Sequence, residues 1–299
     1  RMNMILHDNA EALIVQGNTL ADPKFLEGDG LKTFDYVVAN PPFSDKRWST
    51  GIDPLHDPYR RFQSFGTPPA KQGDYAYLLH IVRSLKSTGK GACILPHGVL
   101  FRGNAEADIR RALVRKGYLK GIIGLPANLF YGTGIPACIV VVDKEEAHAR
   151  KGIFMIDASG GYIKDGPKNR LRAQDIHRIV DVFTRRLEVP RYARMVGVEE
   201  IEKNDFNLNL PRYIDSQTPE DRQDIEGHLK GAFPSPTWMR SLATGLCVRH
   251  CARPCSRPSV RMALMRQSCA IHPARKRRAR RAACLNEERM TDGGRVYFV

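Results

Sequence analysis

The chain has 299 residues, 42% of them hydrophobic and 26% charged, which is enough apolar sequence to close a sizeable core and excludes a disordered or fibrous polymer. No run approaches the ~18 consecutive apolar residues of a membrane-spanning helix, and Arg1 to Asp8 lack the apolar core of a signal peptide, so a cytoplasmic protein is expected. The net charge of +15 is unevenly placed: residues 1–232 carry 33 Lys+Arg against 29 Asp+Glu, and residues 233–299 carry 14 against 3, so the high pI says little about the main body.

Met2 to Val15 reads as the end of an amphipathic helix running into a short strand. Phe34-Asp35-Tyr36-Val37-Val38-Ala39 reads as a buried strand, stopped by Asn40-Pro41-Pro42 because proline cannot continue a central ladder. Trp48 to Gln72 is rich in Pro, Arg and aromatics without a clean period. It is expected to be a long loop, of the kind that is functional or mobile. Gly73 to Leu85 has apolar residues at helical spacing, Ala92 to Pro96 reads as a strand, Ala105 to Lys116 as a charged amphipathic helix, and Gly121 to Leu125 as a strand. Ala137 to Asp143 is strongly β-branched and reads as a further strand. A strand at Ile153 to Ile156 and a helix from about Ala173 to Arg186 follow. This alternation predicts an α/β fold, a mainly parallel sheet with helices on both faces. Of the seven cysteines, Cys93 and Cys138 lie inside apolar runs as small core residues; no disulfide framework and no metal site are expected.

Asn40-Pro41-Pro42-Phe43 carries the chemistry. Strand carboxyl ends are where open α/β sheets place their ligands. An exocyclic amino group on a nucleobase is a poor nucleophile, because its lone pair is conjugated with the ring. Two acceptors gripping its hydrogens draw the nitrogen towards tetrahedral geometry, and the side-chain oxygen of Asn40 and the carbonyl of Pro41 can supply them. The prolines hold the backbone in one extended shape, and Phe43 offers a flat face for a flipped base. An ordinary Asn-Pro-Pro turn is the plain alternative for the tetrapeptide alone.

More of the chain bears on that choice. In order along about Arg1 to Lys230, the sequence is similar to the M (modification) subunit of type I restriction-modification systems, of the N6-adenine methyltransferase group. The matching segments are Arg1 to His7, Gly17-Asn18-Thr19-Leu20, Phe34 to Phe43, Leu95-Pro96-His97-Gly98-Val99-Leu100-Phe101-Arg102-Gly103, Leu125 to Cys138, and Asn207-Leu208-Asn209-Leu210-Pro211-Arg212-Tyr213. The resemblance implies a Rossmann-like class I methyltransferase domain. It implies transfer of a methyl group from S-adenosylmethionine to a flipped adenine in duplex DNA, together with separate specificity (S) and restriction (R) subunits. It assigns Asn40, Pro41, Pro42 and Phe43 to the catalytic loop, and Asn18 and Asp74 to the cofactor pocket. Phe43 and Phe130 would flank the target base, Phe130 being almost as readable as core at a strand–loop junction and Asp74 as an ordinary acidic residue at a helix amino terminus.

The family's glycine-rich cofactor loop is not found. Gly89-Lys90-Gly91 and Gly132-Thr133-Gly134 precede strands, the wrong context for a cradle. An amino-terminal truncation is therefore expected, with residues 1–145 as a partial catalytic domain and 146–231 as the carboxyl part of the methyltransferase region. Residues 232–299, Arg-rich, poorly ordered and including Cys247, Cys251 and Cys255, are expected to be a shifted reading frame rather than a zinc site or a designed arm. Two other functions stay open: methylation of a protein glutamine or another amino group, and a non-catalytic nucleic-acid-binding remnant driven by the basic tail.

Overall fold

In the computed structural model, which describes residues 4, 6, 9, 11–216 and 296–298, a short antiparallel hairpin comes first, Leu26–Glu27 (β1) with Gly30–Leu31 (β2). The main sheet begins at Phe34–Ala39 (β3), whose Phe34, Val37 and Ala39 are buried. Next come helix α1 (Asp74–Ser84), strand β4 (Leu85–Pro96), helix α2 (Ala105–Arg115), strand β5 (Leu119–Gly124), strand β6 (Ala137–Asp143) and strand β7 (Gly152–Asp157). A second hairpin, Ile163–Asp165 (β8) with Lys168–Arg170 (β9), precedes helix α3 (Ala173–Arg185), strand β10 (Ala193–Gly197) and helix α4 (Val198–Lys203). Near the carboxyl end, Val296–Phe298 (β11) pairs in parallel with β3 at Tyr36 to Val38.

The seven-stranded sheet has the order β10-β7-β5-β6-β4-β3-β11. It is mixed, where a mainly parallel sheet was expected: β3·β4, β5·β7 and β11·β3 are parallel, whereas β4·β6, β5·β6 and β10·β7 are antiparallel. The cause lies in the connections. No helix separates β5 from β6, and a parallel neighbour needs a longer crossover, so β6 returns antiparallel and slots between β4 and β5.

Helices on both faces follow from the two-residue period of strands. On β6, Cys138, Val140 and Val142 belong to one apolar cluster with Ile81 of α1 and Ile109 and Leu113 of α2. Ile139 and Val141 point the other way, into a cluster with Ile179 and Val182 of α3. Cys93 and Cys138 are fully buried free thiols in the first cluster. Burial pushes both well above the usual thiol range, which fits their reading as inert core residues.

Two local expectations are corrected. Residues 11–15 form no strand, and Leu13, Ile14 and Val15 are exposed: apolar, β-branched residues do not make a strand without an edge to pair with. Of the expected opening helix Met4 and Leu6 are helical, and most of its other residues, like residues 217–295 with their cysteines, lie outside the described residues. The stretch Trp48 to Gln72 has no helix or strand, as expected, but it is pinned to the body. Trp48, Arg61 and Phe62 are buried, the Trp48 indole donates to Pro69 O at 2.8 Å, and Arg61 donates to Leu20 O at 2.9 Å and pairs with Asp57 at 2.6 Å.

Beneath that loop His80 of α1 is buried, its Nδ1 3.4 Å from Arg61 Nη1. Burial, then the Arg61 charge, hold it down to about 3, against a small opposing pull from Asp57. The folded imidazole stays neutral while the unfolded one takes a proton near pH 6.5. Stability from this group is therefore complete above pH 6.5 and falls below it, by up to about 1.4 kcal/mol per pH unit. Urea unfolding at pH 6.5 and 4.5 should show a larger loss for the native chain than for His80→Gln; equal losses would show that His80 is not held neutral.

Candidate active site

Because β3, β4, β5 and β7 run in one direction, the segments leaving β3, β4 and β5 emerge at one edge of the sheet, the place where such sheets bind ligands. There a cleft of about 520 Å³ is lined by Asn40, Pro41, Pro42 and Phe43 on one side and by Phe130, Tyr131, Gly132 and Thr133 on the other. The Phe43 and Phe130 rings meet nearly at right angles, with centroids 5.7 Å apart and planes at 73°. This is the favourable edge-to-face arrangement of two aromatic rings, and it joins the two sides of the cleft. Asn40 is exposed, and neither its amide nor the Pro41 carbonyl is hydrogen-bonded to another described residue. Asn40 and Pro41 thus bring to the cleft lining two acceptors without a partner among the described residues.

The first wall is held from behind. Ser44, immediately after Phe43, has φ 52°, a conformation that costs a non-glycine residue about 1–2 kcal/mol. Its N–H donates to Asp74 Oδ1 at 2.7 Å, while Arg102 donates to Asp74 Oδ2 at 2.8 Å. Asp45 O accepts the Gly73 N–H at 3.0 Å, and the Tyr77 hydroxyl donates to Asp45 at 3.2 Å. The glycine at 73 is required by Trp48: a Cβ there would lie 2.6 Å from the Trp48 side chain. The loop leaving β3 is stitched to the head of α1. Glu106, in the first turn of α2 and four residues after Arg102, is pushed above the usual carboxylate range by burial, only partly offset by Arg102.

The second wall is held by the β8–β9 hairpin. Lys168 Nζ donates to Phe130 O at 2.7 Å and Thr133 O at 3.0 Å. Asn169 donates through its side chain to Ala127 O at 2.7 Å and through its backbone to Asn128 O at 2.9 Å.

Five of the residues singled out from the sequence, Asn40, Pro41, Pro42, Phe43 and Phe130, therefore converge on one cleft. Asn18 and Asp74 do not line it. Asn18 Oδ1 accepts the N–H groups of Leu20 and Ala21, each at 3.0 Å, so it shapes a turn. Asp74 was expected to face the cofactor pocket, yet it is fully buried with both oxygens engaged by Ser44 and Arg102. It reaches the end of the Asn40–Phe43 loop from inside because burying a carboxylate requires that it be paired and hydrogen-bonded. Ser44, Arg102 and Lys168 were not legible as site residues: no local pattern marks a side chain whose partners lie on other elements.

The chain belongs to the N-6 DNA methylase family, whose description residues 1–222 match. Among its relatives are the methylase subunit of the type I restriction enzyme MjaVII of Methanocaldococcus jannaschii, 34% identical over 237 residues, and that of MpnII of Mycoplasma pneumoniae, 32% identical over 238. Each alignment covers 76% of this chain but only 40% and 42% of the relatives, respectively. The crystal structure of the type I restriction-modification methyltransferase subunit from Streptococcus thermophilus is similar at a TM-score of 0.65 and 38% identity, over 72% of this chain and 45% of that one. The M protein of the type I restriction enzyme EcoKI shares the fold, with a TM-score of 0.53 at 19% identity, over 81% of this chain and 60% of that one.

The Asp74 clamp has a measurable consequence. Asp74→Ala leaves the Ser44 N–H without its acceptor and Arg102 with Glu106 alone, and should destabilise the fold by about 3 kcal/mol. Hydrogen exchange at the Ser44 amide should quicken in that variant more than in Asp74→Asn, which keeps an acceptor oxygen. Equal protection in the two variants would remove the clamp.

Proposed function

We propose that this chain is part of a DNA adenine-N6 methyltransferase, the modification subunit of a type I restriction-modification system. The observation that carries this reading is the pairing of two unengaged acceptors, Asn40 Oδ1 and Pro41 O, with the Phe43–Phe130 slot. A flipped adenine stacked against Phe43 brings its exocyclic amino group to those acceptors. They take its two N–H bonds, and as the nitrogen turns tetrahedral its lone pair is released from the ring. No strong base is needed; positioning suffices. The complete protein would act in the cytoplasm on duplex DNA, with a specificity subunit choosing the sequence and a restriction subunit sharing the assembly.

S-adenosylmethionine, the methyl donor of such enzymes, supplies the electrophilic methyl group when bound. The described residues of this chain do not make a cradle for it. Asn18 spends its oxygen on a turn and Asp74 has both of its oxygens occupied. What they build is the base side of the site. Isothermal titration of this chain with S-adenosylmethionine should therefore show weak binding or none, and micromolar affinity would overturn the placement.

In a full-length methylase carrying this sequence, Asn40→Ala should lower the rate of methyl transfer by roughly 10²–10³-fold, the size of effect seen on removing one preorganised polar group from a transition state. Cofactor affinity should be little changed. Phe43→Trp should be tolerated better than Phe43→Ala, because a stacking face is what matters. Tritium transfer from labelled S-adenosylmethionine to adenine in duplex DNA reads both, and native-like transfer by Asn40→Ala would refute the assignment.

A further inference from the structure

The cleft's second wall carries a feature that the chemistry above does not use. Phe130 turns inward to meet Phe43, but the next residue, Tyr131, is 94% exposed while still forming part of the cleft rim. A single exposed aromatic is ordinary on a protein surface. This one is mounted differently. The carbonyls on either side of it, those of Phe130 and Thr133, are both fixed by the Lys168 ammonium. The Asn128 N–H closes the loop onto Gly134 O at 3.3 Å. At the tip, Gly132 takes φ 78°, a left-handed turn that glycine enters freely. The foot of the loop is tied down and its tip projects an aromatic ring into solvent.

We propose that Tyr131 is a wedge that enters the DNA duplex beside the flipped base. The inference rests on the reading of the cleft as a target-base slot. Extruding a base leaves a gap in the stack and loses the stacking on both neighbours, so flipping is opposed unless something fills that gap. Consecutive α-carbons are only about 3.8 Å apart, close to one base-pair step. A ring mounted one residue from the slot wall, and almost wholly exposed on the cleft rim, is within reach of the vacated position. Its flat face replaces the lost base stacking, and its anchored backbone keeps it upright against the duplex. Tyr131 thus acts on the opening of the duplex and Phe43 on the base once it is out, two separable tasks on the two walls of one cleft.

The test uses two pools of 30-base-pair duplexes with randomised flanks around a central 2-aminopurine. In one pool the 2-aminopurine faces thymine; in the other it faces an abasic site, so that little pairing has to be broken. The rise in 2-aminopurine emission on titration with the full chain reports a base taken out of the stack. Tyr131→Ala should weaken the response to the thymine-paired pool about tenfold, the order expected for one aromatic–base stack. With the abasic-opposed pool its response should change less than twofold, and Tyr131→Trp should restore the paired-pool response. Phe43→Ala should weaken both pools alike. If Tyr131→Ala affects both pools equally, or neither, the wedge is wrong although the slot stands. If the native chain raises no emission, or Phe43→Ala changes nothing, the slot reading fails and the wedge falls with it.

Discussion

The carboxylate of Asp74 ties together the three segments on which the site depends. It sits at the first turn of α1, accepts the N–H of Ser44 directly after the Asn40–Phe43 loop, and pairs with Arg102 from the segment that follows β4. A buried carboxylate has no stable alternative to such partners, so its presence holds Ser44 at φ 52° against the preference of a side-chain-bearing residue for negative φ. That conformation turns the chain sharply after Phe43. Strain at this position is sustained because the surrounding structure over-determines it, with Asp45 bonded to both Gly73 and Tyr77.

The opposite wall is built on another principle. The loop between β5 and β6 contributes Phe130 but makes few apolar contacts at its tip, and its rigidity is lent by a separate hairpin through Lys168 and Asn169. Backbone carbonyls that would otherwise need water are taken by a fixed ammonium and a fixed amide. The cleft thus has one wall anchored by a buried ion pair and one anchored by side chain-to-backbone bonds. The two anchors share no residue.

Both walls rest on a sheet whose two faces are covered independently. Alternate residues of β5, β6 and β7 feed separate clusters, one closed by α1 and α2 and the other by α3. The long segment between β3 and α1 joins the first cluster through Trp48 and Phe62, whose rings pack edge to face at 5.7 Å. A stretch without secondary structure can be as fixed as a helix when its large side chains are buried and its one buried guanidinium, that of Arg61, is paired.

The amino-acid sequence by itself determined the strands β3 and β6, the helices α1, α2 and α3 to within about a residue, and the nature of the Asn40–Phe43 loop. Those features are local: apolar period sets which residues are buried, and two prolines set where a ladder must stop. Through resemblance it also singled out Phe130, which lines the same cleft as Asn40 to Phe43. Tertiary structure alone decided that β6 runs back between β4 and β5, since strand partners depend on the length of connections and on available edges rather than on propensity. Tertiary structure also decided that Asp74 faces inward to Ser44 and Arg102, and that Lys168 braces the Phe130 wall. In each of these a charged group's role is set by what stands opposite it, and residues distant in the chain become neighbours only once the sheet has closed.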